Sequence, residues 1–243
     1  MSGLRESRMK ETAGVAEPYV EVHAAPGQLR GVALFCHGGT ASSIEPPQER
    51  ALSLERMRAI ERFTRSAVST RGITTQLLRY RVAGWNGEAA DAYADVRWAL
   101  DRIRDEHGSE VPVVLVGHSM GGRAVLRAGG DPQVAAVCAL APWTPPGEPV
   151  AHLRDRTVTI LHGRGDRWVP ARLSADFALR AEEAGAHVAR FTIAGGHTML
   201  RRAHRWHTFV RDVVLGATGS EPMRADVADA LRQPLPEGLA VPL

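Results

Sequence analysis

The stretch VVLVGHSMGG, residues 113–122, decides the fold and raises the first question about function. Four apolar residues lead into a Gly-x-Ser-x-Gly motif centred on Ser119, and a stretch of helical character follows over 120–128. A strand that turns sharply into a helix at a serine is the setting of a nucleophile elbow, which presents the hydroxyl at the end of the strand. Gly117 and Gly121 suit so tight a turn, because a Cβ atom at either position would collide across it. The alternative is that Ser119 is only a polar turn residue.

Short apolar runs alternate with stretches of helical period along the rest of the chain. The runs predict strands at 19–24, 32–36, 74–80, 111–116, 134–140, 158–161 and 188–193. Several of them are apolar at consecutive positions, which is typical of parallel strands covered by helices on both faces. The alternation therefore predicts an α/β fold with a mostly parallel central sheet and right-handed connections.

Apolar residues at three- and four-residue intervals mark helices between these strands. The predicted buried faces consist of Tyr93, Val96, Leu100 and Ile103, of Leu173, Phe177, Ala181 and Ala184, and of Leu200, Ala203, His207 and Val210. The helical patterns stop at Gly72, Gly108, Gly185 and Gly216. Glycine is favoured there because it readily adopts the left-handed backbone that ends many helices.

Two later loops offer the base and the acid that a serine nucleophile needs. A serine hydroxyl is a poor nucleophile at neutral pH, so a histidine must take its proton and a carboxylate must orient that histidine. The segment HGRGDRWVP follows one predicted strand and places Asp166 in a turn, and AGGHTML follows another and places His197. We expect both near Ser119, because the carboxyl ends of parallel strands share one sheet edge. Glu148 is the rival acid, and Asp166 could instead be an ordinary turn or cap residue.

With the chain order Ser119, Asp166, His197, the sequence resembles the α/β-hydrolase superfamily over about residues 19–216. The resemblance implies that Ser119 is the nucleophile. It implies that His197 acts first as general base and then as general acid, and that Asp166 holds the tautomer of the imidazole. The three positions together are more specific than the serine motif alone.

A fourth element of the resemblance is CHGGT, residues 36–40, which is similar to the His-Gly-x oxyanion loop of that superfamily. The resemblance implies that the backbone N–H groups of Gly39 and Met120 bind the anionic oxygen of the tetrahedral intermediate. It also implies an α/β-hydrolase fold without a large lid domain, because the connection after residues 141–149 is short. Any cap over the site is therefore small or formed by residues 40–56.

Size and composition indicate one globular domain, since 243 residues with 44% hydrophobic content suffice for a single core. Residues 1–17 are polar and charged, so we expect a flexible N-terminus that is neither a signal peptide nor a membrane span. We assign the α/β-hydrolase domain to 18–216 and a short helix with a loose tail to 217–243. No run of about 18 apolar residues occurs, so no membrane partner is expected.

The cysteine content and the charge pattern point to a cytoplasmic protein without a nucleic-acid partner. Cys36 and Cys138 each lie in an apolar stretch, which predicts buried free thiols rather than a disulfide. The isoelectric point is 9.3 but the net charge is only +3. The arginines are spread among carboxylates along predicted helices, which is typical of solvated helix faces.

Several aromatic residues and histidines are secondary candidates. Trp85, Trp143 and Trp168 each follow a predicted strand end, so they are expected either to line the substrate pocket or to pack at its rim. We interpret His37 and His118 as packing and hydrogen-bonding neighbours of the two catalytic loops. The histidines at 204 and 207, one helical turn apart, are interpreted as ordinary helix residues rather than metal ligands, because no third ligand has a suitable spacing.

The function implied by the resemblance is a serine hydrolase that cleaves carboxylic esters of small molecules through an acyl-enzyme at Ser119, with no cofactor and no metal. Thioesters of coenzyme A or of an acyl carrier pass through the same kind of intermediate, so a thioesterase is an alternative. The superfamily also covers haloperoxidase-like and C–C bond-cleaving activities. A non-catalytic binding protein with the same fold is the alternative from a different class. The oligomeric state is not predicted.

Overall fold

The structure, a computed structural model, describes residues 17–233 and 237–243. The flexible N-terminus predicted for 1–17 lies outside the described residues, apart from Glu17. Within these ranges the strands are β1 (Tyr19–His23), β2 (Gly31–Cys36), β3 (Ile73–Arg79), β4 (Val113–His118), β5 (Val134–Leu140), β6 (Thr157–Gly163), β7 (His187–Ile193) and β8 (Val241–Pro242). The α-helices in the same ranges are α1 (Leu52–Val68), α2 (Asp91–His107), α3 (Met120–Ala128), α4 (Ala171–Glu183), α5 (Ala203–Ala217) and α6 (Ala225–Arg232).

The strands form one sheet in the order β1-β3-β2-β4-β5-β6-β7-β8. Every neighbouring pair is parallel except β1 and β3, which run antiparallel. The predicted α/β fold with a mostly parallel sheet is therefore confirmed. The strand β4, which leads into Ser119, lies near the middle of the sheet between β2 and β5.

Apolar side chains are buried on both faces of this sheet. In β4, Val113 and Leu115 join the core cluster under α2, α3 and α4, whereas Val114 and Val116 join the cluster under α1, α5 and α6. Successive side chains of a strand point to opposite faces, so a strand covered on both sides needs apolar residues at every position. This requirement explains why VVLV has no polar alternation.

The helix α1 is not among the helices whose buried faces the sequence predicts. The helix begins at Leu52 and buries Leu54, Met57, Ile60, Thr64 and Val68, which recur at three- and four-residue intervals. Its charged residues hide this pattern in the printed sequence. The predicted stop at Gly72 is confirmed, with a φ of +77°.

The C-terminal residues are part of the sheet, so the expected loose tail after residue 217 is wrong. A short helix is present as predicted, namely α6. The strand β8 then pairs with β7, and Leu239 is buried in the core. The backbone pairing of Val241 and Pro242 with β7 fixes this segment at the sheet edge. The face predicted to begin at Leu200 also needs correction, since α5 begins only at Ala203 and Leu200 is 58% exposed.

Both cysteines are buried free thiols, as predicted. Burial raises the pKa of the Cys138 thiol to about 12 and that of Cys36 further still, since a thiolate is disfavoured in an apolar interior. Neither thiol is therefore a nucleophile at neutral pH. In the part of the chain that the structure describes, no helix is long and apolar enough to cross a membrane.

Candidate active site

Ser119 lies at the turn between β4 and α3, in a backbone conformation that non-glycine residues rarely adopt. Its φ is +55° and its ψ is −117°. Both backbone groups of Ser119 are hydrogen-bonded. Its N–H donates to the Leu140 carbonyl at 3.0 Å, and its carbonyl accepts the Trp143 N–H at 3.0 Å. Strain of this kind persists only where the surroundings fix it, and here it places the hydroxyl at the carboxyl edge of the sheet.

The glycines that flank Ser119 are required by close backbone approach. A Cβ atom on Gly117 would lie 2.3 Å from the Gly121 carbonyl oxygen. A Cβ atom on Gly121 would lie 2.4 Å from the carbonyl oxygens of both Cys36 and His37. The first contact closes the turn, and the second brings α3 against the end of β2. The loop that follows β2 is thereby placed beside Ser119.

A chain of hydrogen bonds joins the three residues that the sequence had singled out. The Ser119 hydroxyl lies 2.8 Å from His197 Nε2 and donates to it, and His197 Nδ1–H donates to Asp166 Oδ2 over 2.7 Å. All three residues are about nine-tenths buried. They come from loops after β4, β6 and β7, so the sheet brings together residues separated by up to 78 positions. In this arrangement His197 Nε2 is placed to accept the serine proton.

The Asp166 carboxylate is held ionised by its hydrogen bonds. Burial by itself would raise its pKa, but bonds from His162, from His197 and from the Val169 N–H lower the pKa well below the ordinary aspartate value. The Oδ1 atom accepts the N–H groups of Trp168 and Val169, each at 2.9 Å. The carboxylate therefore keeps its charge and fixes the His197 tautomer.

His162 is a residue of this site that the sequence analysis missed. Its Nε2 lies 3.0 Å from the Val169 carbonyl oxygen and 3.3 Å from Asp166 Oδ2, and its Nδ1 lies 2.8 Å from the Ser174 hydroxyl. The signal was available, because His162 opens the same HGRGD segment that carries Asp166, four residues earlier. It links the acid to α4 and so limits how the carboxylate can move.

The rival acid, Glu148, does not contact His197. Its buried carboxylate pairs with Arg123 at 2.6 Å and with Arg127 at 2.8 Å, both on α3. The Arg180 side chain also donates to its backbone carbonyl at 2.8 Å. Glu148 thus ties the loop after β5 to two helices, and Asp166 is the carboxylate that meets the histidine.

The oxyanion loop implied by CHGGT lies beside the elbow. His37 Nδ1–H donates to the Gly38 carbonyl at 2.7 Å, and the Thr40 N–H donates to the Ala83 carbonyl at 2.9 Å. Burial lowers the pKa of His37 to about 4, so its ring is neutral at neutral pH. Among the described residues, neither the Gly39 nor the Met120 N–H donates to a backbone carbonyl outside regular elements. Both amides are therefore available to an oxyanion.

His118 packs against His197 and hydrogen-bonds to its backbone. Its Nε2–H donates to the His197 carbonyl at 3.0 Å, and the two ring centroids are 4.8 Å apart. Burial lowers the pKa of His118 to about 3, and a positive charge on His197 would lower it further. The neutral ring fits the supporting role that the sequence analysis gave it.

A pocket of about 260 Å³ opens beside Ser119 and His197. Its other walls are formed by Gly38, Gly39, Leu52, Ser53, Arg56, His118, Trp168 and Thr198. Trp168 is 71% exposed, and its ring centroid lies 5.5 Å from that of His197. Trp168 is thus placed where a pocket residue was expected, and residues within 40–56 also contribute to the walls.

Trp85 and Trp143 lie elsewhere, so the expectation that they line the substrate pocket is wrong for both. Their rings meet edge to face at 6.4 Å and border a separate groove of about 550 Å³. The Arg123 guanidinium lies 3.8 Å from the Trp85 ring centroid and 4.8 Å from that of Trp143. This cation–π stacking holds both indoles against α3.

The two histidines of α5 pack against an aromatic ring. His204 and His207 lie with ring centroids 5.6 Å and 5.4 Å from that of Phe63 on α1. Within residues 17–233 and 237–243, no three His, Cys, Asp or Glu side chains are grouped so that they could hold a metal ion. The contacts of His204 and His207 are those of residues at the interface between α5 and α1.

Comparison with known families agrees with this geometry. A model of the alpha/beta hydrolase family matches residues 33–242. The chain belongs to the alpha/beta hydrolase family. The match continues past residue 216 to β8, in keeping with the place of β8 in the sheet. Comparison with curated proteins gives no significant match.

Three solved structures illustrate the likeness in fold. A serine hydrolase without lid from Xanthomonas campestris has a TM-score of 0.55 and 18% identity, covering 84% of this chain and 88% of its own. Est1E from Butyrivibrio proteoclasticus, with ferulic acid bound, has a TM-score of 0.62 and 14% identity, covering 83% and 96%. Esterase 2 from Thermogutta terrifontis, phosphoramylated by tabun, has a TM-score of 0.63 and 16% identity, covering 85% and 92%. At these identities the likeness shows the fold alone.

Proposed function

We propose that the protein is a serine hydrolase that cleaves carboxylic esters of small molecules through an acyl-enzyme at Ser119. The observation that carries the proposal is the continuous hydrogen-bonded chain from Asp166 through His197 to Ser119, which opens on a pocket of about 260 Å³. A serine with a base at 2.8 Å, and a base oriented by an ionised carboxylate, is the arrangement that acyl transfer requires.

Acylation begins when Ser119 Oγ attacks the ester carbonyl carbon and its proton passes to His197 Nε2. The carbonyl oxygen becomes an anion, which accepts hydrogen bonds from the N–H groups of Gly39 and Met120. Asp166 stabilises the imidazolium that forms. The intermediate then expels the alcohol, which takes the proton from His197, and the acyl group remains on Ser119.

Deacylation repeats these steps with water. His197 accepts a proton from a water molecule as the water oxygen attacks the acyl carbon, and the same two amides bind the second oxyanion. Collapse of this intermediate releases the carboxylic acid and returns the proton to Ser119 Oγ. The chain needs no further group for this cycle, because base, acid and oxyanion donors are all its own.

The solved relatives support an ester substrate and a reactive serine. Est1E holds ferulic acid, and the Thermogutta esterase is phosphoramylated by tabun. Tabun is a phosphorus electrophile, so a fluorophosphonate probe tests the same property in this chain. The two buried free thiols are in keeping with a cytoplasmic enzyme.

The test is labelling by a fluorophosphonate probe together with hydrolysis of a chain-length series of p-nitrophenyl esters. Wild-type protein is expected to be labelled once and to turn over short esters. Ser119→Ala is expected to lose labelling and to lose about 10³-fold or more in turnover, since the nucleophile is gone. Ser66→Ala is the matched control, because Ser66 is an exposed serine of α1 that lies outside this pocket and whose hydroxyl donates to the Phe63 carbonyl.

Failure of the wild-type protein to react with the probe, when circular dichroism shows it folded, would falsify the proposal. Turnover of matched acyl thioesters, compared with turnover of the esters in the same assay, separates a thioesterase from an esterase. Both kinds of substrate would use the same oxyanion donors. If Ser119→Ala performs the cellular role unchanged, the chain is a binding protein with this fold.

A further inference from the structure

One wall of the pocket beside Ser119 carries a cation. The first two turns of α1 supply Leu52, Ser53 and Arg56 to the lining. The Ser53 hydroxyl donates to the Gly38 carbonyl at 3.0 Å, which ties this end of α1 to the oxyanion loop. Arg56 is therefore fixed on the same side of the pocket as the groups proposed to bind the oxyanion.

Arg56 has no acidic partner among the described residues. Its Nη2 donates to the Met199 carbonyl at 2.9 Å, and its buried Nε has no acceptor in the described part of the chain. Burial lowers the pKa of this guanidinium, and no carboxylate opposes that shift. By contrast Arg58, two residues later on α1, pairs with Glu21, Glu49 and Glu55. An arginine remains charged in proteins, so the pocket wall keeps an unneutralised positive charge.

The surroundings of Arg56 add to this charge rather than cancel it. None of the pocket-lining residues is an Asp or a Glu. The helix α1 starts at the pocket, and no side chain caps it at Ala51 in the described structure, so its first N–H groups add a positive potential. Glu55, the acidic residue of the first turn, is exposed and pairs with Arg58 at 2.9 Å. The pocket therefore favours an anion.

We propose that this pocket selects esters that carry a carboxylate on a short acyl or alcohol group, and that Arg56 binds that carboxylate. The proposal deepens the proposed function and rests on it for the position of the scissile bond. A planar guanidinium matches a carboxylate through paired N–H donors, which a neutral ester group cannot use equally well. A volume of about 260 Å³ is below the range of drug-sized pockets, so the group that bears the charge is short.

The experiment compares pairs of esters that differ only in charge. For the acyl side we choose mono-p-nitrophenyl glutarate and its neutral methyl ester. For the alcohol side we choose the butyrate esters of para-hydroxybenzoate and para-hydroxybenzamide. The wild-type protein is expected to favour the anionic member of one pair by about 10- to 100-fold in kcat/KM, the strength of hydrogen bonds to a charged group. The pair that shows the preference identifies the side of the ester that Arg56 reads.

Three variants test whether Arg56 causes the preference for the anionic ester. Arg56→Gln is expected to remove the preference, mainly through KM of the anionic ester, and Arg56→Lys to keep part of it. Arg62→Gln removes the same charge from an exposed position of α1 outside this pocket, so the preference should persist. If Arg56→Gln lowers kcat equally for both members of a pair, Arg56 only supports the Met199 backbone and the proposal is wrong.

Binding to Ser119→Ala separates this proposal from the proposed function. Calorimetry is expected to show tighter binding of the anionic ester, and loss of that difference when Arg56→Gln is added. If the wild-type protein hydrolyses none of the esters, the proposed function fails while the binding result still decides the role of Arg56. Equal binding of charged and neutral esters to Ser119→Ala would overturn the pocket proposal alone.

Discussion

At the scale of single residues, the Asp166 carboxylate has donors at both oxygens. Oδ1 accepts two backbone N–H groups, and Oδ2 faces His197 and His162. An amide at this position would place an N–H₂ group against one of these donors. The tautomer of His197 with a free Nε2 then loses its partner at Nδ1. The proton that Ser119 must give up would have no acceptor.

We therefore expect Asp166→Asn to lower kcat for ester hydrolysis by about 10⁴-fold, the order seen when a triad aspartate becomes an amide. The control is Glu148→Gln, which weakens two buried ion pairs with α3 but leaves the histidine untouched. It should lower the melting temperature while kcat stays near the wild-type value. Steady-state kinetics and calorimetry on both variants check this, and the reverse pattern would identify Glu148 as the acid.

These residues show which features of the site a short stretch of sequence can predict. Ser119, Asp166 and His197 could be predicted because each sits in a short loop directly after an apolar run. Position after a strand identifies the edge of the sheet, but not the side of a helix on which a side chain lies. For this reason the sequence left both the pocket and its rim open for Trp85, which lies against Arg123. No local pattern could indicate a cation such as Arg56 beside a residue more than sixty positions away.

At the scale of elements, the site depends on how closely α3 approaches β2. The carbonyl oxygens of Cys36 and His37, at the end of β2, lie 2.4 Å from the position that a Cβ of Gly121 would take, so the helix can come this near only with glycine there. These oxygens belong to the backbone and cannot move as a flexible side chain could. The approach places the oxyanion loop within reach of Ser119.

Gly121→Ala is accordingly expected to destabilise the protein by roughly 3 kcal/mol or more, because a methyl group 2.4 Å from two backbone oxygens forces α3 away from β2. Gly147→Ala serves as the matched control. Its φ is +81° but no atom lies within 4 Å of the added Cβ, so only the left-handed backbone is strained, at about 1 kcal/mol. Urea unfolding measures both. A loss at Gly121 no larger than that at Gly147 would mean that α3 and β2 accommodate the added methyl group, and that their close approach does not require glycine.

At the scale of the whole molecule, the sheet includes residues that composition alone had set apart. The Arg190 side chain of β7 is buried, and its Nη1 donates to the Leu239 carbonyl at 3.0 Å. Its Nη2 donates to the Ala171 carbonyl at 2.9 Å, so one arginine joins β7, α4 and the C-terminal segment. Such long-range contacts carry no periodic signal. They explain why the strands with apolar runs were predicted and the two-residue β8 was not.

Two buried neutral histidines link the stability of this fold to pH. The folded pKa of His37 is about 4 and that of His118 about 3, whereas in the unfolded chain each has the ordinary value near 6.5. Above that value both states are neutral and the histidines add no pH dependence. Below it the unfolded chain binds protons that the folded chain does not, so the free energy of unfolding falls as the pH falls towards 4.

The expected slope is up to about 1.4 kcal/mol per pH unit for each of these histidines. Asp166, whose pKa is lowered, adds its own loss only at more acidic pH, where the unfolded aspartate takes up a proton. Urea unfolding between pH 8 and about 4.5 measures the slope. His118→Asn should reduce it by about half of the total from the two histidines, whatever its effect at pH 8. An unchanged slope in that variant would mean that His118 takes up a proton in the folded state. That result would contradict a neutral His118 ring beside His197.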